Sequence, residues 1–173
     1  HLEMYDNFQV QRKFIQHDQI DLIYANPFDA AMLVREKNFL PLVKAAGVSD
    51  EAIIAVNAKN AAEDVAYLSP GITVAVTEDP DVTMMGMIML EAGDLDASNI
   101  TTHVYDSYVL VAKHLLNGNA DVGIFLAEAY DDLSNMVKKQ LKILVRSQIS
   151  VIHHALMVGP KLAARRTEIQ DLL

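Results

Sequence analysis

Apolar positions along the chain alternate between two spacings. Short apolar runs over 20–24, 39–43, 52–57, 72–76, 120–125, 142–146 and 150–158 read as strands, the run at 52–57 as a fully buried one. Between them, apolar residues recur three or four apart, as helices require. Phe8, Phe14 and Ile15 form one such stripe, and Tyr108, Val111, Leu115 and Leu116 another. A helix over 27–37 carries Pro27 near its first turn and Phe28, Ala31, Met32 and Val34 as its apolar residues. A short helix or turn is expected at 61–68, before Ser69-Pro70-Gly71. A helix over 83–92 closes at Gly93, another covers 127–141, and a last amphipathic one runs from Gly159-Pro160 to Leu173. Strands alternating with helices predict an α/β protein with mainly parallel sheets.

The pattern repeats itself. Met4-Tyr5-Asp6-Asn7-Phe8 lies over Val104-Tyr105-Asp106-Ser107-Tyr108, 100 positions later. The register continues without a gap. Phe14-Ile15 falls on His114-Leu115, the turn His17-Asp18-Gln19 on Asn117-Gly118-Asn119, and Ile20-Asp21-Leu22 on Ala120-Asp121-Val122. Each copy reads as a strand ending in Tyr-Asp, a helix capped by Asp6 or Asn7 and by Asp106 or Ser107, a polar turn and a second strand. Two related lobes are the expectation.

Composition narrows the chemistry. With 51% apolar residues, 173 residues suffice to build a substantial core. The chain has no cysteine, which excludes disulfides and thiolate-held zinc or iron–sulfur centres. Fourteen basic against 23 acidic residues leave a formal charge of −9, a field that repels nucleic acid and anionic lipid. No apolar run is long enough to span a bilayer, and the first residues show no leader pattern, so direct membrane insertion is not expected. No HExxH, GxSxG or GxxxxGK[ST] motif occurs. His153-His154 with Glu128 and His103 is not expected to hold a metal, because adjacent strand residues point to opposite faces. No cofactor is expected.

The order of these pieces resembles the periplasmic solute-binding proteins of phosphate, phosphite and phosphonate ABC transporters. The resemblance rests on Ile20-Asp21-Leu22-Ile23-Tyr24-Ala25-Asn26-Pro27, on 52–59, on 72–86, on Leu90-Glu91-Ala92-Gly93, on 115–123, on Glu128 to Leu133 and on 143–173. It implies a type II periplasmic-binding-protein fold, two α/β lobes joined by crossing strands, with the ligand in the cleft. It also implies that the family's first strand and helix, which precede the equivalent of Leu2, are missing here. On this basis lobe one takes 1–56 and 150–173, and lobe two takes 57–149. Ligands of α/β sheets sit beyond the carboxyl ends of strands, where helix N-termini present free N–H groups, and lobe closure buries them.

Candidate ligand-binding residues emerge from this placement. Asn26 and Asp106 open helices after strands. Thr83 and Gly86 match a family run of hydroxyls and glycine after Asp79-Pro80, in which Met84 and Met85 replace hydroxyl donors. Glu128 matches a family glutamate that contacts ligand; a helix-start carboxylate satisfying backbone donors is the equal alternative. Met84 and His153 complete the set. A carboxylate- and methionine-rich site points to a ligand diverged from a bare phosphonate. The expected function is non-enzymatic solute binding beside a membrane permease, in the periplasm or outside the cell. A ligand-sensing domain of a signalling receptor is the alternative, and an enzyme resembling those of thiamin-pyrimidine synthesis a third.

Overall fold

The computed structural model describes residues 2–5 and 7–173. Asp6, read as a helix cap, lies outside the described residues. The chain divides into two compact units, one built from 1–48 and 153–173 and the other from 49–152.

In the first unit, α1 (Phe8–Gln16), β1 (Leu22–Ala25), α2 (Pro27–Lys37) and β2 (Leu40–Lys44) are followed, after the second unit, by β8 (Ala155–Val158) and α7 (Arg166–Asp171). The sheet order is β1-β8-β2, and β8 runs antiparallel to both neighbours. Ile15, Ile23, Ala25, Leu33, Phe39 and Met157 form its core. Helix α2 opens on an Asn26 cap and stops at Asn38, which adopts the left-handed conformation.

In the second unit, β3 (Ala52–Asn57), β4 (Thr73–Val76), α3 (Pro80–Leu90), β5 (Thr101–Val104), α4 (Tyr108–Leu116), β6 (Val122–Leu126), α5 (Ala127–Asp131), α6 (Asn135–Lys138) and β7 (Leu141–Arg146) succeed one another. Their sheet order is β5-β4-β6-β3-β7. Strand β4 is parallel to β5 and β6, whereas β3 is antiparallel to β6 and β7. Ile54, Val74, Met85, Leu90 and Ile124 are at the heart of the core on the α3 face, and Val111, Leu115 and Phe125 on the α4 face.

The repeat is reproduced atom for atom at its turns. Asn7 and Ser107 cap α1 and α4 by accepting the N–H groups of Val10 and Leu110. Both helices end on the same pattern: Asp18 N–H donates to the Ile15 carbonyl and Gln19 N–H to that of Phe14, while Gly118 donates to Leu115 and Asn119 to His114. Asp18 and Gly118 occupy the same left-handed position, with φ of 54° and 71°.

Several expectations are corrected. The sheets are mixed, not mainly parallel, because β8 and β3 insert antiparallel between or beside strands that helices connect. Residues 49–56 belong with the second unit, since β3 is hydrogen-bonded to β6 and β7. The expected helix at 127–141 breaks around Leu133, which turns into the core, and Ser134 caps a new short helix before Leu141 enters β7. The strand expected at 150–158 forms only from Ala155 onward; Ser150 is in the left-handed region. Helix α3 starts at Pro80 instead of residue 83, and a 3-10 segment, Pro160–Arg165, precedes α7. Residues 2–5, read as a strand, carry no strand pairing.

Candidate functional site

Because β4, β5 and β6 are mutually parallel, their carboxyl ends lie on one edge of the second unit, and α3, α4 and α5 all start there. This edge brings together Thr83 and Met84 in the first turns of α3, Asp106 before α4, and Glu128 at the start of α5. Asp106, Glu128 and Met84 are exposed, while Thr83 is half-buried.

The start of α3 is a negatively charged, internally bonded cluster. Asp79 caps the helix without a side-chain bond to its N–H groups, and Asp81 is buried in the first turn. Both carboxylates complement the positive end of the helix dipole. The Tyr108 hydroxyl, from the first turn of α4, donates to Asp79 Oδ2 at 2.5 Å. Burial, the Asp79 charge and this hydrogen bond together push the Tyr108 hydroxyl far above the ordinary tyrosine range, so it stays a donor. The Thr83 hydroxyl donates to the Thr77 carbonyl at 3.3 Å. Tyr108 was legible only as part of a core stripe, and nothing in sequence spacing links it to Asp79.

In the first unit, Asn26 and His153 lie at one end of the three-stranded sheet, since Ala25 pairs with Ala155. Asn26 is 3% exposed, and its amide is engaged at both ends. Its Oδ1 accepts the Asp29 N–H at 2.8 Å and its Nδ2 donates to Asp29 Oδ2 at 2.9 Å. Arg12 Nε donates to the other Asp29 oxygen at 2.9 Å, and its guanidinium lies over the Phe8 and Phe28 rings. Sequence reasoning missed Arg12, whose Nη2 is buried without a hydrogen-bond partner among the described residues. His153 is half-buried beside His154, which stacks on Tyr24. Among the described residues, no three His, Asp or Glu side chains are grouped so as to hold a metal, and no helix is long and apolar enough to cross a membrane.

Comparison with known proteins gives the chain its relatives. No curated protein sequence matches it. Among solved structures it is similar to a binding protein from Prochlorococcus marinus in complex with methylphosphonate, with a TM-score of 0.77 and 11% identity over 96% of this chain and 68% of that one. A binding component of an ABC phosphonate transporter from Pseudomonas aeruginosa gives 0.71 and 16% over 97% and 60%. A Xanthomonas citri protein bound to ATP gives 0.79 and 18% over 100% and 70%. The chain thus spans 60% to 70% of the length of these chains, and the likeness establishes a type II periplasmic-binding-protein fold. The family model for the periplasmic phosphonate substrate-binding protein of ABC transporters matches residues 1–173. The chain belongs to that family of periplasmic solute-binding proteins.

Proposed function

We propose that this protein binds, without transforming it, a small solute that presents a positively charged group to Asp106 and Glu128, and delivers it to a membrane permease. One observation carries the ligand reading: the hydroxyls nearest the start of α3 are already engaged, Tyr108 on Asp79 and Thr83 on the Thr77 carbonyl. A phosphoryl dianion there would meet the Asp79 and Asp81 carboxylates with the backbone N–H groups of α3, and neither of these hydroxyls, as donors, and burying an anion beside carboxylates is costly. An ammonium group meets complementary charge from the exposed carboxylates of Asp106 and Glu128. Met84 offers an adaptable apolar wall beside them.

A thermal-shift panel on the full chain tests this, with phosphate, phosphite, methylphosphonate, linear diamines and amino acids. A ligand at a hundred times its Kd adds about 2.7 kcal/mol, a rise of several degrees for a chain of this size. We expect the shift with an amine, its loss in the Asp106→Asn/Glu128→Gln double variant, and unchanged ligand by mass spectrometry after incubation. A shift with phosphate or methylphosphonate and none with amines overturns the cationic-ligand reading.

A further inference from the structure

Helix α3 is apolar on both sides. From Val82 to Leu90 its only polar side chain is Thr83. Val82, Met85, Gly86 and Leu90 are buried in the second unit, whereas Met84 and Ile88, one turn apart on the outer side, are 49% and 58% exposed. A surface helix ordinarily turns polar residues outward, and a helix apolar all round is one covered on both sides. Glu91 follows on the same face, seven positions after Met84.

At its C-terminal end α3 runs into a 3-10 turn, Glu91–Gly93, which packs on a second one, Val65–Tyr67. The approach is close enough that a Cβ at Gly93 would stand 2.5 Å from the Val65 carbonyl oxygen. Tyr67, 74% exposed, therefore joins the end of α3 at one corner of the second unit. Asp64, Glu91, Asp94 and Asp96 flank that corner and are exposed.

The charge around this face has one sign. Residues 60–112 contain nine acidic residues and no lysine or arginine, so they hold the whole formal charge of −9, and the rest of the chain balances at 14 of each sign. Lys142 reaches Glu63 at 2.9 Å, but among the described residues no lysine or arginine pairs with Asp64, Glu91, Asp94 or Asp96. Such a face repels nucleic acid and anionic lipid, and a second copy would bring the same sign against it. A cationic protein surface is its complement. Met84 and Ile88, four residues apart, form a ridge of the kind that packs into the groove of another helix.

We infer that the outer face of α3, together with Tyr67, is a docking surface for a protein partner that presents a basic amphipathic helix. Apolar side chains of that helix cover Met84 and Ile88, and its lysines or arginines meet Glu91, Asp94 and Asp96. The apolar contact supplies the buried centre of the interface, and the charges set the orientation and the rate of encounter. This inference does not rest on the solute reading, since Ile88, Glu91 and Asp94 lie about 12 Å or more along the helix from its Pro80 end.

The test titrates the full chain into a fluorescein-labelled synthetic helix with leucines on one face and lysines flanking them, at physiological ionic strength, and reads fluorescence anisotropy. A matched peptide with glutamate in place of lysine is the comparison. The lysine peptide should bind, and about tenfold or more tighter than the glutamate one. Ile88→Ser and the double variant Glu91→Gln/Asp94→Asn should each weaken it about tenfold, with circular dichroism confirming an intact fold. Glu36→Gln/Glu168→Gln, which removes the same charge from exposed sites of the first unit, should change it by less than about twofold, because exposed charges beyond a Debye length are screened. The inference fails if the lysine peptide does not bind, if Ile88→Ser leaves its binding intact, or if the two double variants weaken it equally, which would mean attraction to net charge alone. It also fails if sedimentation shows the chain self-associating and Ile88→Ser abolishes this, which would mean that a second copy covers α3.

Discussion

Glu51 shows how much one side chain can organise. Its carboxylate accepts the N–H groups of Ile149 and Ser150, at 3.0 and 2.7 Å, and the Ser147 hydroxyl, whose oxygen in turn accepts the Ala52 N–H. Partial burial pushes the carboxyl up, but the Ser147, Ser150, Ile149 and Ser49 donors outweigh it and hold it below the usual range. A depressed folded pKa gives stability that is present above the unfolded value, near 4.5, and is lost as pH falls through the folded one. Glu51→Gln should therefore cost about 1–2 kcal/mol in urea unfolding at pH 7. The gap between the proteins should hold down to pH 4.5 and close below it; a gap independent of pH would refute the charge argument. The caps of α1 and α4 were legible to within one residue, as Asp6 or Asn7 and Asp106 or Ser107, because a cap bonds its own helix within three residues. Tyr108–Asp79 and Glu51–Ser147 were not, because their partners are 29 and 96 positions apart.

At the scale of elements, strand and helix identity followed from periodicity, but neighbours did not. Spacing reports which residues face a core, and says nothing about which strand fills the gap beside another. Hence α1 and α4 and the strands after them were placed within two residues, while β3 was put with the wrong unit. The helix break at Leu133 is a case of burial overriding continuity. Packing of α3 on β6 gives a sharper test. A Cβ at Gly86 would meet the Ile124 side chain at 2.4–2.8 Å. Gly→Ala within a helix ordinarily stabilises by about 1 kcal/mol. Here Gly86→Ala should instead destabilise by about 1–3 kcal/mol through overpacking, with recovery when Ile124→Ala is added. Stabilisation by Gly86→Ala alone would show that α3 can move away from β6.

At the scale of the molecule, the two units differ in how the chain builds them. The unit of 49–152 is continuous in sequence and contains both larger core clusters, whereas the other is assembled from two separate stretches. A fragment of residues 49–152 should then unfold cooperatively in urea, with coincident near- and far-ultraviolet dichroism transitions. Non-coincident transitions would show that it depends on the rest of the chain. The order β1-β8-β2 also sets a timetable. A chain emerging from its N-terminus, at about 5–20 residues per second, presents β1 and β2 long before the strand that lies between them. Both must wait while residues 45–154 are made, and a waiting strand is an invitation to aggregate. Pro41 and Lys44 in β2, and the capped helices on either side of β1, are what this sequence sets against that delay.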